Sequence, residues 1–192
     1  MSARRVGRLT PVGIYAIVLL LGGATTAFAA RADTFQIVSA DTRLADGVYL
    51  LDAEVEFDLG PKPLDALKNG VPLVIENQIE ITQSKNWFPD KTVAALSQRY
   101  RLKFHPLTEQ YLVTNLNSGE RQNFRTMGGA LAGLGSLRGV PILDDTLLDP
   151  KAEYYVRMRV GIDLEALPAP LRLLAYVYGE WRSKSSWQEW QL

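Results

Sequence analysis

"VPLVIENQIEIT", residues 71 to 82, sets Leu73, Ile75, Ile79 and Ile81 on one face and Glu76, Gln78 and Glu80 on the other. Period two is the pattern of a strand with one face buried and one in water. "VYLLDAEVEFD" (48 to 58) repeats it, with Tyr49, Leu51, Ala53, Val55 and Phe57 inward and Asp52, Glu54, Glu56 and Asp58 outward. Two more stretches keep the period and reverse the charge. In "QRYRLKF" (98 to 104) Tyr100, Leu102 and Phe104 alternate with Arg99, Arg101 and Lys103, and in "YYVRMRVGI" (154 to 162) Val156, Met158 and Val160 alternate with Arg157 and Arg159. Opposite charges on neighbouring strands attract and like charges repel. At least one acidic strand is therefore expected beside a basic one.

Between these strands lie the turns of an antiparallel meander. "HPLTEQ" separates 98–104 from "YLVTNL" (111 to 116), and "NSGE" (117 to 120) leads into "RQNFRT". "GPKPLDALKNG" is too rich in Pro and Gly to be strand and has room for one helical turn. "TMGGALAGLGSLRG" (126 to 139) breaks the period: Met127, Ala130, Leu131, Leu134 and Leu137 fall at helical spacing, with Thr126 placed to cap the start. A second short helix is expected from Pro170 to Tyr176. The fold class that follows is mainly β, an antiparallel β-sandwich or curled sheet with one or two short helices.

The first thirty residues read as an address. Arg4, Arg5 and Arg8 precede an uncharged run, Pro11 to Ala30, and Ala27-Phe28-Ala29 supplies the small residues a signal peptidase needs. Residues 1–29 are thus expected to be a signal helix that is cleaved, leaving a single β-rich domain at 30–192. The competing reading is an uncleaved anchor, because Val12 to Ala30 nearly reaches the length of a membrane span. Both readings place the domain in the periplasm, free or anchored to the inner membrane.

The 192 residues are 47% hydrophobic and 22% charged, an ordinary globular composition, and 21 basic side chains balance 21 acidic ones. No long-range field draws the chain to nucleic acid. Loss of three arginines with the leader leaves the rest mildly acidic. There is no cysteine, so disulfides, thiolate chemistry and a lipid-modified cysteine are excluded.

Few residues suggest catalysis, and no cofactor or metal is implied. His105, the only histidine, stands before Pro106 and reads as a turn-edge residue. The glycine-rich run has neither the Lys-Ser/Thr of a P-loop nor a G-x-S-x-G elbow. Asp144, Asp145 and Asp149 are oxygen donors of the kind calcium takes, without the spacing of a calcium loop, and read as a solvated turn. "WRSKSSWQEW" (181 to 190) holds three of the four tryptophans. Taken as one strand it puts Trp181 and Trp187 on one face and Trp190 on the other. They are candidates for core closure and for partner binding.

"YRLKFHPLTEQYLV", "LPAPLRLLAYVYGEW" and "SSWQEW", behind a leader in a chain of this length, resemble a proteobacterial family of exported proteins known as domain of unknown function 4390. The resemblance implies a Gram-negative envelope location and an association by gene neighbourhood with membrane sensor kinases of the nitrogen-regulation type. It implies no activity and no functional residues. The expected function is a non-enzymatic periplasmic protein-interaction domain whose partner is another envelope protein, such a sensor kinase being the candidate. A periplasmic carrier of small ligands or lipids and an enzyme of unrecognised type are the alternatives.

Overall fold

The computed structural model describes residues 35–85, 89–181 and 183–192. Contacts divide the chain into two compact units, Met1–Arg31 and Ala32–Leu192. All that follows concerns the second, and the leader or anchor expected at 1–29 lies outside the described residues.

Two antiparallel sheets carry the fold. In the smaller, strands β1 (Phe35–Ala45), β2 (Val48–Phe57) and β7 (Ser136–Asp144) lie in the order β1-β2-β7. The larger adds β3 (Leu73–Gln83), β4 (Lys91–His105), β5 (Gln110–Asn115), β6 (Arg121–Phe124), β8 (Tyr154–Ile162) and β9 (Gln188–Gln191), ordered β6-β5-β4-β3-β8-β9. Inward residues of both sheets join one buried cluster: Leu51, Ala53 and Val55 from the small sheet and Ile75, Ile79, Ile81, Val156, Met158 and Val160 from the large. This is a sandwich of unequal layers, three strands over six.

The charge argument is met at the centre of the large sheet. Acidic β3 lies between basic β4 and β8. Arg157 donates to Glu80 at 2.9 and 2.5 Å and Arg159 donates to Gln78 at 2.5 Å, while Arg99, opposite Glu76 in the register, pairs with Asp163. Each such cross-strand pair contributes about 0.2–1 kcal/mol. The acids of β2 find cations that their own pattern did not announce. Arg43 of β1 pairs with Asp52 at 3.1 Å, and Arg138 of β7 pairs with Glu54.

Three α-helices form where two at most were expected. The stretch read as one turn is the two-turn α1 (Pro61–Lys68), which buries Pro63 and Leu67. Thr126 caps α2 (Met127–Gly135) as its position suggested, its hydroxyl accepting from the Gly129 N–H at 3.1 Å. The helix does not continue to 139. At Ser136 the chain turns into β7, where ladder bonds to β2 replace helical ones and Leu137 stays inward. A Cβ on Gly135 would stand 2.1 Å from the Val55 carbonyl oxygen, so only glycine lets the helix end this close to β2. The third helix, α3 (Ala169–Val177), matches expectation and buries Ala175.

Candidate functional site

Because the small sheet ends at β7, the β4–β6 half of the large sheet has no strand layer over it. The sequence marks that boundary. Inward positions of β3 and β8 are apolar except at Asn77, whereas under the gap they become Gln98 on β4, Asn115 on β5 and Gln122 on β6. Helix α2 covers part of this half, its Gly129 and Gly133 lying against the Phe124 ring of β6. A groove of about 550 Å³ remains between these strands, the end of α2 and β7.

The groove has a polar floor and a backbone wall. Six consecutive residues of β7, Ser136 to Pro141, line it, as happens when a strand presents its edge rather than one face. Among the described residues that edge has no strand partner, since β2 is the one strand paired with β7 there. Gly139, at φ 58°, and Pro141 interrupt it, devices that limit pairing with another strand.

Several floor groups are already committed. Asn115 and Asn117 build the 117–120 turn: Asn115 Oδ1 accepts from the N–H groups of Asn117 and Ser118 at 2.8 and 3.1 Å. Asn117 also clamps β4 through Arg99 N–H and the Ser97 carbonyl. Arg138 is held by Glu54 and the Ala53 carbonyl. The Gln98 amide and the Tyr100 hydroxyl make no hydrogen bond among the described residues, and Glu120 makes no ion pair there. Burial raises the Tyr100 hydroxyl above the usual tyrosine value, and the negative charge of Glu120 adds to the shift.

Asn77 stands directly opposite Gln98 in the ladder, 1% exposed, with neither its amide nitrogen nor its oxygen bonded. Alternation alone could have flagged it, as the one polar residue on an inward face otherwise made of Leu and Ile.

A family model described as "Domain of unknown function (DUF4390)" matches residues 32–191. The chain belongs to this family. No curated protein and no solved structure matches it.

The tryptophans, His105 and the 144–149 acids of the DUF4390 domain that the sequence singled out do not line the groove and do not form one site. Residues 181–190 are not one strand: Trp181 ends a 3-10 turn (Gly179–Trp181), and regular pairing begins only at Gln188. Trp181 is buried, with Ser183 and Ser185 buried after it, and the Ser185 hydroxyl accepts from Val160 N–H at 3.0 Å. Trp187 lies on the outer face, its ring 4.8 and 4.5 Å from the guanidinium carbons of Arg157 and Arg159. Trp190 is half-buried on the inner face, opposite Val156, and its indole N–H meets the Thr42 hydroxyl at 3.3 Å. Three settings replace a shared platform.

His105 closes β4 opposite Gln110, and its carbonyl accepts from Thr108 N–H. Asp144 caps the 3-10 turn Asp145–Leu147, accepting from the Thr146 N–H and hydroxyl at 3.0 and 2.6 Å, bonds that lower its pKa. Asp149 accepts from Lys151 N–H. These acids form turns. Among the described residues no three His, Asp or Glu gather in a way that could hold a metal, and no helix is long and apolar enough to cross a membrane.

Proposed function

We propose that this DUF4390 domain is a non-enzymatic, exported interaction domain that takes an extended segment of another envelope protein into the groove beside β7. The supporting observation is the unpaired edge of β7 facing a floor of amide groups. Such an edge offers main-chain bonds to a strand laid along it, and side chains below select what is laid there. Gly139 and Pro141 confine the pairing to a few residues, so selectivity falls to Gln98, Tyr100 and Glu120, the last suiting a basic side chain. The candidate partner is the outward-facing part of a membrane sensor kinase, as the family resemblance suggests.

The groove also favours a second reading, a carrier of a small polar ligand, since a site of about 550 Å³ is within the range of small-molecule pockets. A lipid cargo fits it poorly, because its floor is polar.

A photoreactive side chain at Gln122, introduced in the full chain and activated in the cell, separates the two readings. The interaction reading expects adducts that map to one short segment of one envelope protein. Adducts of small mass only turn the reading to a carrier. Adducts spread over many proteins, with none recurring, overturn both.

A further inference from the structure

Two elements distant in sequence, a hairpin turn and a helix, bring bare apolar side chains to one end of the sandwich. Strand β4 runs past the start of β3 and turns at 106–109, where Leu107 is 100% exposed. At the same end β8 stops at Ile162, with Asp163 N–H bonded to the Val74 carbonyl, and the chain enters the 3-10 turn Leu164–Ala166, on which α3 packs. Only Ala175 of α3 is fully buried. Leu173 and Val177 are 72% and 76% exposed, and Leu174 and Tyr178 are exposed beside them.

The described chain also begins at this end. Phe35 meets Phe57 edge-on at 4.9 Å, and Phe35 to Ile37 share a cleft with Ser185 to Gln188, just beyond the 3-10 turn that touches both α1 and α3.

We propose that this end of the domain seats on a lipid bilayer, with Leu107, Leu173 and Val177 entering the boundary between headgroups and acyl chains. The ring of Tyr178 lies at headgroup depth, where aromatic side chains are favoured. Two features point to lipid rather than to a folded partner. The exposed groups stand on two separate elements, a hairpin tip and a helix; a fluid surface conforms to separate protrusions, whereas a folded partner needs a matching relief. The uncharged run Pro11 to Ala30 ends five residues before Phe35. Where that run is retained in a bilayer as an uncleaved anchor, the chain from Ala30 to Phe35 reaches at most about 18 Å at 3.6 Å per residue, which tethers the start of β1 within that distance of the surface.

Charges of both signs flank the patch, Lys62 and Lys68 with Asp65, Glu109 and Glu165. The attachment is therefore apolar and insensitive to salt. Leu147, 71% exposed, lies at the opposite end, beside the β1–β2 turn, and serves as the internal reference.

The chain has no cysteine, so single cysteines at Leu107, Val177 and Leu147 can each carry a fluorophore in the full chain. The labelled chains are incorporated into phosphatidylethanolamine–phosphatidylglycerol vesicles, with and without bromine on the acyl chains. The proposal expects bromolipid quenching several-fold stronger at 107 and 177 than at 147, unchanged by added salt. Equal quenching at all three positions, or none at 107 and 177, overturns it. Shielding of 107 and 177 from aqueous iodide without bromolipid quenching also overturns it, and assigns the patch to a protein, this chain's second copy or another. Quenching abolished by salt replaces the apolar contact with an electrostatic one.

Discussion

Trp190 on β9 donates its indole N–H to the Thr42 hydroxyl on β1 at 3.3 Å, across 148 positions of sequence. The bond joins an edge of the large sheet to an edge of the small one, in a chain without disulfides. Thr42→Val keeps the shape and removes the acceptor. It should cost about 0.5–1.5 kcal/mol, the usual net worth of one hydrogen bond, measured by chemical denaturation.

The other two tryptophans should separate in the same measurement. Trp181→Ala removes a buried ring and should cost about 3–5 kcal/mol. Trp187→Ala removes a half-buried ring stacked on two guanidinium groups, where each cation–π contact is worth about 0.5–1 kcal/mol. The expected loss is about 1–2 kcal/mol. Equal losses would refute the difference in setting.

Gly135→Ala should destabilise although alanine is the better helix former. The added methyl meets the Val55 carbonyl oxygen, which is backbone and cannot swing aside. Overpacking of this kind costs about 1–3 kcal/mol. The same change at Gly128, where nothing lies within 4 Å, should be neutral or stabilising.

Asn77→Leu should raise stability by about 1–3 kcal/mol, because it replaces an unbonded buried amide with a side chain of similar volume. A loss of stability in denaturant would show that the amide is engaged in the native protein.

Asp52 gives an acid dependence. The Gly139 N–H and the Arg43 guanidinium hold its carboxyl below the usual aspartate value of 3.8. A depressed folded-state pKa stabilises fully above the unfolded value, and the contribution is lost as pH falls from there through the lowered one. The stability difference between the native chain and Asp52→Asn should therefore be constant near neutrality and shrink only below about pH 4.

In the groove, Glu120→Gln should move the Tyr100 titration down, followed by its ring NMR signals. It should stay above the ordinary tyrosine value, since burial is the larger cause of the shift.

The strands carrying strict alternation were legible because period two has one interpretation when both faces are marked, and the sign reversal between β3 and its neighbours even predicted a pairing. β1 was missed, since a register shift between Ile37 and Ser39 breaks its alternation. The first four residues of β7, 136–139, read as the tail of α2 because Leu134 and Leu137 fit helical spacing as well as they fit a strand that follows a helix without a loop. The groove was invisible for a different reason. Its walls come from β4–β6 and from β7, and no local pattern says which strand ends a sheet. The polar inward residues Gln98, Asn115 and Gln122 are the available clue, and they look like ordinary strand polarity until the stop of the small sheet at β7 is known.

The stop of the small sheet at β7 also orders assembly in time. The groove's floor is a meander, each strand hydrogen-bonded to the next in sequence, and such local contacts close quickly. Its wall depends on β7 reaching β2, with Ser136 and Glu54 joined across 82 positions, a closure whose entropy must be met before any contact repays it. In a chain folding along this route the β4–β6 meander closes first and β7 reaches β2 last, and until then the floor lies bare.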